Sequence, residues 1–177
     1  MGATEPANIR LLVLDVDGVL TDGRIHMGPD GAETKVFNVR DGWGIKLWRN
    51  SGRRVAIISG RASPAVGRRA FELGVDTLRQ GADDKLPAYQ SVLKEMGLSA
   101  EQADVMGDDL PDLPLLRSCG YSLAPCDAVE EVRAVARHVT ALGGGAGCVR
   151  AAIEHLLKLS GEWESLTRPL RGPGGGA

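Results

Sequence analysis

The 177-residue chain is 43% hydrophobic and 25% charged, enough apolar material for one domain with a full core and no disulfide staples. A net charge of -2 gives no electrostatic reason to expect nucleic acid, whose phosphates call for a basic field. Cys119, Cys126 and Cys148 form an odd set with no CxxC pair, which argues against a disulfide framework or a zinc site and suits a reducing compartment.

Residues 1–8 hold no apolar run of the signal-peptide kind, and the first apolar stretch, 9–14, is far shorter than the roughly 20 residues a bilayer needs. A cytoplasmic protein with no membrane partner is therefore expected. The run at 9–14 ends at acidic residues and reads as a strand buried on both faces. A hairpin follows over 24–39, where Gly28-Pro29-Asp30-Gly31 separates apolar Ile25 and Met27 from Val36, Phe37 and Val39. Helical patterns are predicted at 42–50, 64–73, 85–96, 128–136 and 149–159, and further strands at 55–58, 75–78, 104–106 and 121–124. This alternation predicts an α/β fold, a Rossmann-like three-layer α/β/α arrangement with a parallel sheet and a protruding hairpin after the first strand. The expected organisation is an N-terminal extension over 1–8, one domain over 9–160, and a tail over 161–177 with a disordered Gly-rich end.

Ligands of open α/β sheets bind at the carboxyl ends of the strands. There the first strand runs into Asp15-Val16-Asp17-Gly18, the second long apolar run into Ser59-Gly60-Arg61, and a later one into Gly107-Asp108-Asp109, while Lys85 opens a helix. Hard carboxylate oxygens suit Mg²⁺, which lets an anionic Asp approach an anionic phosphate. Asp15 is the expected nucleophile. Asp17, two residues on and on the same side of an extended chain, is the expected acid and base. Ser59 and Lys85 are placed to hold phosphoryl oxygens. Asp15, Asp17 and Asp108 are the expected metal residues. Asp109 and Asp112 are left open between support for that ligand and helix-start charges. Read singly, each of these motifs is uninformative: a polar turn after a strand, a Ser-Gly turn, a surface lysine. Their order in one chain is what points to chemistry.

Asp15-x-Asp17-Gly18-Val19-Leu20-Thr21, Ser59-Gly60-Arg61, Lys85 and Gly107-Asp108-Asp109-x-x-Asp112 resemble the motifs of the haloacid dehalogenase superfamily. Too few residues separate Asp17 from Ser59, or Ser59 from Lys85, to hold a cap domain. The resemblance therefore implies a capless member, whose open site is expected to be covered by a neighbouring subunit, with the hairpin as the assembly element.

Asn38-Val39-Arg40-Asp41-Gly42, Gly107-Asp108-Asp109-Leu110-Pro111-Asp112 and residues 143–150 further resemble the 3-deoxy-D-manno-octulosonate 8-phosphate phosphatases, tetrameric capless enzymes of lipopolysaccharide sugar synthesis. That resemblance implies a sugar-acid phosphate substrate and a homotetramer. It marks Asp17, Asn38, Val39, Arg40, Asp41, Gly42, Lys46, Arg61, Arg69 and Lys85 as substrate contacts. Arginine suits the carboxylate of such a substrate through its paired fork. Lys46 departs from the pattern, standing where the family more often has Arg, and Ala151 stands where an acid more often follows. The alternatives are a nonulosonate 9-phosphate phosphatase, a phospho-accepting receiver domain, in which the order of acidic loops differs, and a non-catalytic assembly domain, against which the intact motif set speaks.

Overall fold

The structure, a computed structural model, describes residues 9–171; the expected extension over 1–8 and the Gly-rich end over 172–177 lie outside them. The central sheet has six strands: β1 (Leu11–Leu14), β4 (Arg54–Ile58), β5 (Thr77–Arg79), β6 (Ala103–Met106), β7 (Tyr121–Ala124) and β8 (His138–Val139), in the order β5-β4-β1-β6-β7-β8. Every pairing in it is parallel. Two short strands, β2 (His26–Met27) and β3 (Glu33–Thr34), pair antiparallel as a separate hairpin. The helices are α1 (Val39–Asn50), α2 (Pro64–Leu73), α3 (Lys85–Met96), α4 (Leu113–Ser118), α5 (Glu130–Val135), α6 (Cys148–Leu159) and α7 (Trp163–Arg171).

The apolar run of β1 works in both directions. Leu12 and Leu14 join one core with α1, α2 and α6, whereas Leu11 and Val13 join the other with α3, α4 and α5. This is the two-faced burial expected of a central parallel strand. Among the described residues no cap domain stands over the sheet, and no helix is long and apolar enough to cross a membrane.

Local signals set most boundaries. Asn38 caps α1, its Oδ1 accepting the Arg40 N–H at 2.8 Å, so the helix starts three residues before the expected Gly42. The Pro64 start and the left-handed Gly74 end bracket α2 as predicted. Three differences are instructive. The second hairpin strand falls at 33–34 instead of 36–39, because Phe37 turns inward onto the core and Val39 enters α1. The strand expected at 75–78 starts at Thr77, after Asp76 has turned its carboxylate to accept the Val55 N–H at 2.9 Å. Residues 163–171 of the expected tail form α7, and Trp163 is buried in the α6-side core with Arg150 and Lys158 over its ring.

One core residue has no counterpart in the pattern. Asp104, inside β6, is 0% exposed, and neither carboxylate oxygen has a hydrogen-bond partner. Burial drives its pKa up to about 8, against the pull of Arg53 and Arg137.

Candidate active site

β1 is flanked by β4 and β6, and the chain winds outward from it in both directions, so the loops after these strands meet at a topological switch point. The loop after β1 brings Asp15 and Asp17, that after β4 brings Ser59 and Arg61, that after β6 brings Asp108, Asp109 and Asp112, and α3 opens with Lys85. All of these line one cavity of ≈ 400 Å³.

At its floor, the Lys85 ammonium lies 2.8 Å from Asp15 Oδ1 and donates to Asp112 Oδ1 at 2.7 Å. The other Asp112 oxygen accepts the N–H groups of Asp108 at 3.1 Å and Asp109 at 3.4 Å. Carboxylate oxygens of Asp15, Asp108 and Asp112 all fall within 4.8 Å of one another. Asp108 Oδ1 is buried with no partner. Burial and the negative charge of Asp112 raise Asp15 to about 6, against the pull of Lys85. Burial, then Asp15 and Asp112, raise Asp108 to about 8. Crowded hard oxygens, one of them unpaired, fit a divalent cation, which would favour the charged carboxylates against both their burial and their mutual repulsion.

Two glycines make this approach possible. A Cβ at Gly18, where φ is +95°, would lie 2.0 Å from Asp108 Oδ2, and one at Gly107 would lie 2.4 Å from Asp112 Cβ. The glycine run at 143–147 lies against the same loop, where a Cβ at Gly144 would fall 2.1 Å from the Gly18 carbonyl oxygen. It braces the Asp15 loop from behind, with the Gly145 N–H on the Val19 carbonyl at 3.0 Å and Cys148 Sγ on the same oxygen at 3.2 Å.

Of the expected metal residues, Asp15 and Asp108 bring carboxylates into one cluster. Asp112 stands in the carboxylate cluster, and the Asp17 side chain is turned away to Lys35, with Arg61 Nε 3.9 Å from its second oxygen. Lys35 and Glu33, which the sequence reading passed over, form a ring with Asp17 and Arg61. The i, i+2 spacing of Glu33 and Lys35, which puts both on one side of an extended segment, is the signal that would have found them. Burial alone would lower the Lys35 pKa, but Asp17 and Glu33 outweigh it and raise it.

The remaining predicted contacts do not line this cavity. Asn38 caps α1 and donates to the Gly145 carbonyl at 3.1 Å. Asp41 is 1% exposed and caps α6, accepting the Arg150 N–H at 2.8 Å. Gly42 is buried against Arg69, whose guanidinium reaches the Asn38 carbonyl at 3.4 Å and Glu72 at 2.9 Å. Val39, Arg40 and Lys46 are exposed on α1.

Comparison with known proteins places this arrangement. Residues 78–147 match the haloacid dehalogenase-like hydrolase family. The chain is 44% identical over 159 residues to the 3-deoxy-D-manno-octulosonate 8-phosphate phosphatase of Salmonella typhi, covering 90% of this chain and 85% of that one. It belongs to that phosphatase family. Solved octulosonate phosphatases superpose closely. The Moraxella catarrhalis enzyme, in complex with a magnesium ion, a phosphate ion and a KDO molecule, gives a TM-score of 0.92 at 39% identity, covering 95% of this chain and 97% of that one. The cobalt-bound form from Haemophilus influenzae gives 0.87 at 39% identity, covering 90% and 94%. The capless α/β architecture read from the sequence is thus the architecture of the octulosonate phosphatases.

Proposed function

We propose that this chain hydrolyses 3-deoxy-D-manno-octulosonate 8-phosphate to the free sugar acid and phosphate, a step of lipopolysaccharide sugar synthesis. The observation that carries the reading is the floor of the cavity, where Lys85 bridges Asp15 and Asp112 beside the unpaired Asp108 oxygen. A nucleophile, a cation for the phosphoryl group and a set of metal ligands stand together there.

Asp15 and Asp108, with Asp17 of the expected set, would hold Mg²⁺, which supplies neutralisation of the phosphate charge when bound, while Asp112 supports the Asp108 loop from outside. Asp15 attacks phosphorus and forms an aspartyl-phosphate. Asp17 gives its proton to the departing sugar oxygen, then takes one from the water that releases phosphate from Asp15. Lys85 and Ser59 hold the phosphoryl oxygens. Arg61, exposed at the mouth, meets the sugar acid.

Asn38, Val39, Arg40, Asp41, Gly42, Lys46 and Arg69 lie off this cavity, so in this reading they act on a neighbouring copy's substrate or shape the loop that does. The exposed hairpin residues Ile25 (50%), Met27 (61%) and Val36 (65%) support self-association, as a homotetramer through the hairpin. The free Cys119, Cys126 and Cys148 suit the cytoplasm.

The test is phosphate release from a panel of sugar and sugar-acid phosphates with Mg²⁺ and with EDTA. Mg²⁺-dependent release from the octulosonate phosphate and little from hexose phosphates is expected. Preference for a nonulosonate phosphate would keep the chemistry and change the substrate. Release from none of them by folded protein would overturn the reading.

A further inference from the structure

One buried cation beside the site has no part in the mechanism above. The Lys35 side chain, just past β3, is 2% exposed and lies against Asp17 Oδ1, with Glu33 Oε1 at 2.6 Å. Arg61 closes the ring, donating to Glu33 at 2.8 Å and standing 3.9 Å from Asp17 Oδ2. Asp17 and Arg61 line the cavity and Lys35 does not, so the ammonium sits behind the carboxylate, out of reach of a substrate there.

A lysine is almost never buried this deeply unless paired, because desolvating the ammonium is costly. Here the two carboxylates that offset that cost come from different parts of the fold: Asp17 from the loop after β1, Glu33 from the hairpin. The hairpin itself is held by a two-residue strand pairing, His26 with Thr34 and Met27 with Glu33. Lys35 and Glu33 are therefore what ties the hairpin to Asp17. With Oδ1 occupied by Lys35, the oxygen on the Arg61 side, Oδ2, is the one left for proton exchange with the substrate.

We propose that Lys35 is a positioning residue for the leaving-group step, fixing the Asp17 carboxyl by one oxygen so that the other meets the departing sugar oxygen. This rests on the reading of Asp17 as the acid. In the step concerned the P–O bond to the sugar breaks, its electron pair stays on the sugar oxygen, and the Asp17 proton goes to that oxygen.

The leaving group supplies the test. A sugar alkoxide needs the proton, whereas p-nitrophenolate departs with little help. The kcat/KM of full-length Lys35→Met with Mg²⁺ is measured on an alkyl sugar phosphate that the wild type turns over and on p-nitrophenyl phosphate. This ratio reports the steps up to departure. A loss of about 10²-fold is expected on the sugar phosphate, the lower end of what general acid catalysis supplies, and a loss at least ten times smaller on the aryl phosphate. Lys35→Arg is expected to recover part of the sugar-phosphate activity. Equal losses on both substrates, or no loss, would overturn the proposal and leave Lys35 a brace of the hairpin. Asp17→Asn serves as the reference: if it shows no split between the substrates, the reading of Asp17 fails, and the placement of Lys35 falls with it. If Lys35→Met does not fold, the charge-matched double variant Glu33→Gln with Lys35→Met is read in the same way.

Discussion

Asp112 holds the ammonium of Lys85 at 2.7 Å with one oxygen and gathers the backbone N–H groups of Asp108 and Asp109 with the other. It therefore fixes Lys85 and the Asp108 loop together. Asp112→Ala leaves Lys85 buried with one partner. Breaking a buried pair costs about 3–5 kcal/mol. Loss of an outer support of a metal site lowers affinity about 10–100-fold. Urea denaturation and a Mg²⁺ titration of the same protein check both figures.

Asp15→Asn is expected to show no turnover above background, because an amide is no nucleophile. Asp17→Asn is expected to fall by about 10²–10⁴ in kcat while still binding Mg²⁺. Phosphate release measured alongside a Mg²⁺ thermal shift separates the two. Substantial activity in Asp15→Asn would end the nucleophile assignment.

Magnesium is expected to stabilise the fold, since it binds the native carboxylate cluster and not the open chain. At a hundred times its dissociation constant a ligand adds about 2.7 kcal/mol. At about 2–4 °C per kcal/mol for a chain of this size, Tm rises by roughly 5–11 °C. EDTA reverses the shift, and Asp108→Asn abolishes it. A shift that persists in Asp108→Asn would place the metal elsewhere.

Asp104 makes the protein lose stability as pH rises from acid through neutrality. Its folded pKa of about 8 lies above the usual carboxylate value. The folded state thus keeps a proton that the unfolded chain gives up. Stability is full below about pH 4, the unfolded value, and is lost progressively as pH rises to the folded value. At pH 7 the loss is of the order of 4 kcal/mol, at about 1.4 kcal/mol per pKa unit. Asp104→Asn removes the dependence. The Tm difference between variant and wild type is expected to grow from pH 4 to pH 8 and level off above it. A difference that does not vary with pH would show that Asp104 finds a partner in solution.

Much of this was legible in the residues. Short continuous apolar runs set against helical spacing located the sheet and its larger helices, and the order of the acidic loops located the cavity. What escaped shows where local signals run out. β8 is two residues, His138 and Val139, too short for any period to register. In α4, Pro114 breaks the short apolar stretch from Leu113 to Leu116 and hides the helix. α7 contains Pro169, which reads as a helix breaker. Asn38 and Asp41 stand in a motif whose local roles polar residue types alone do not reveal. Only the fold shows that each is spent on a helix N-terminus. Lys35 escaped because its partners, Asp17 and Glu33, meet it through the hairpin's return.

The tail helix offers a separate test. Trp163 is 8% exposed and carries the contact of α7 with the body. Trp163→Ala is expected to cost about 3–5 kcal/mol, read from chemical denaturation, with the Mg²⁺ thermal shift retained. A near-neutral effect would show that α7 detaches freely.

The hairpin joins the molecule between the first acidic loop and α1, outside the parallel sheet that anchors Asp15, Ser59 and Asp108. Its residues can therefore change without disturbing the strands that set the phosphate chemistry. An evolving lineage can vary this ribbon while the sheet keeps the acidic loops in place. The ring through Glu33 and Lys35 sets the limit: drift is free at the tip and closed at the base, where Asp17 is tied.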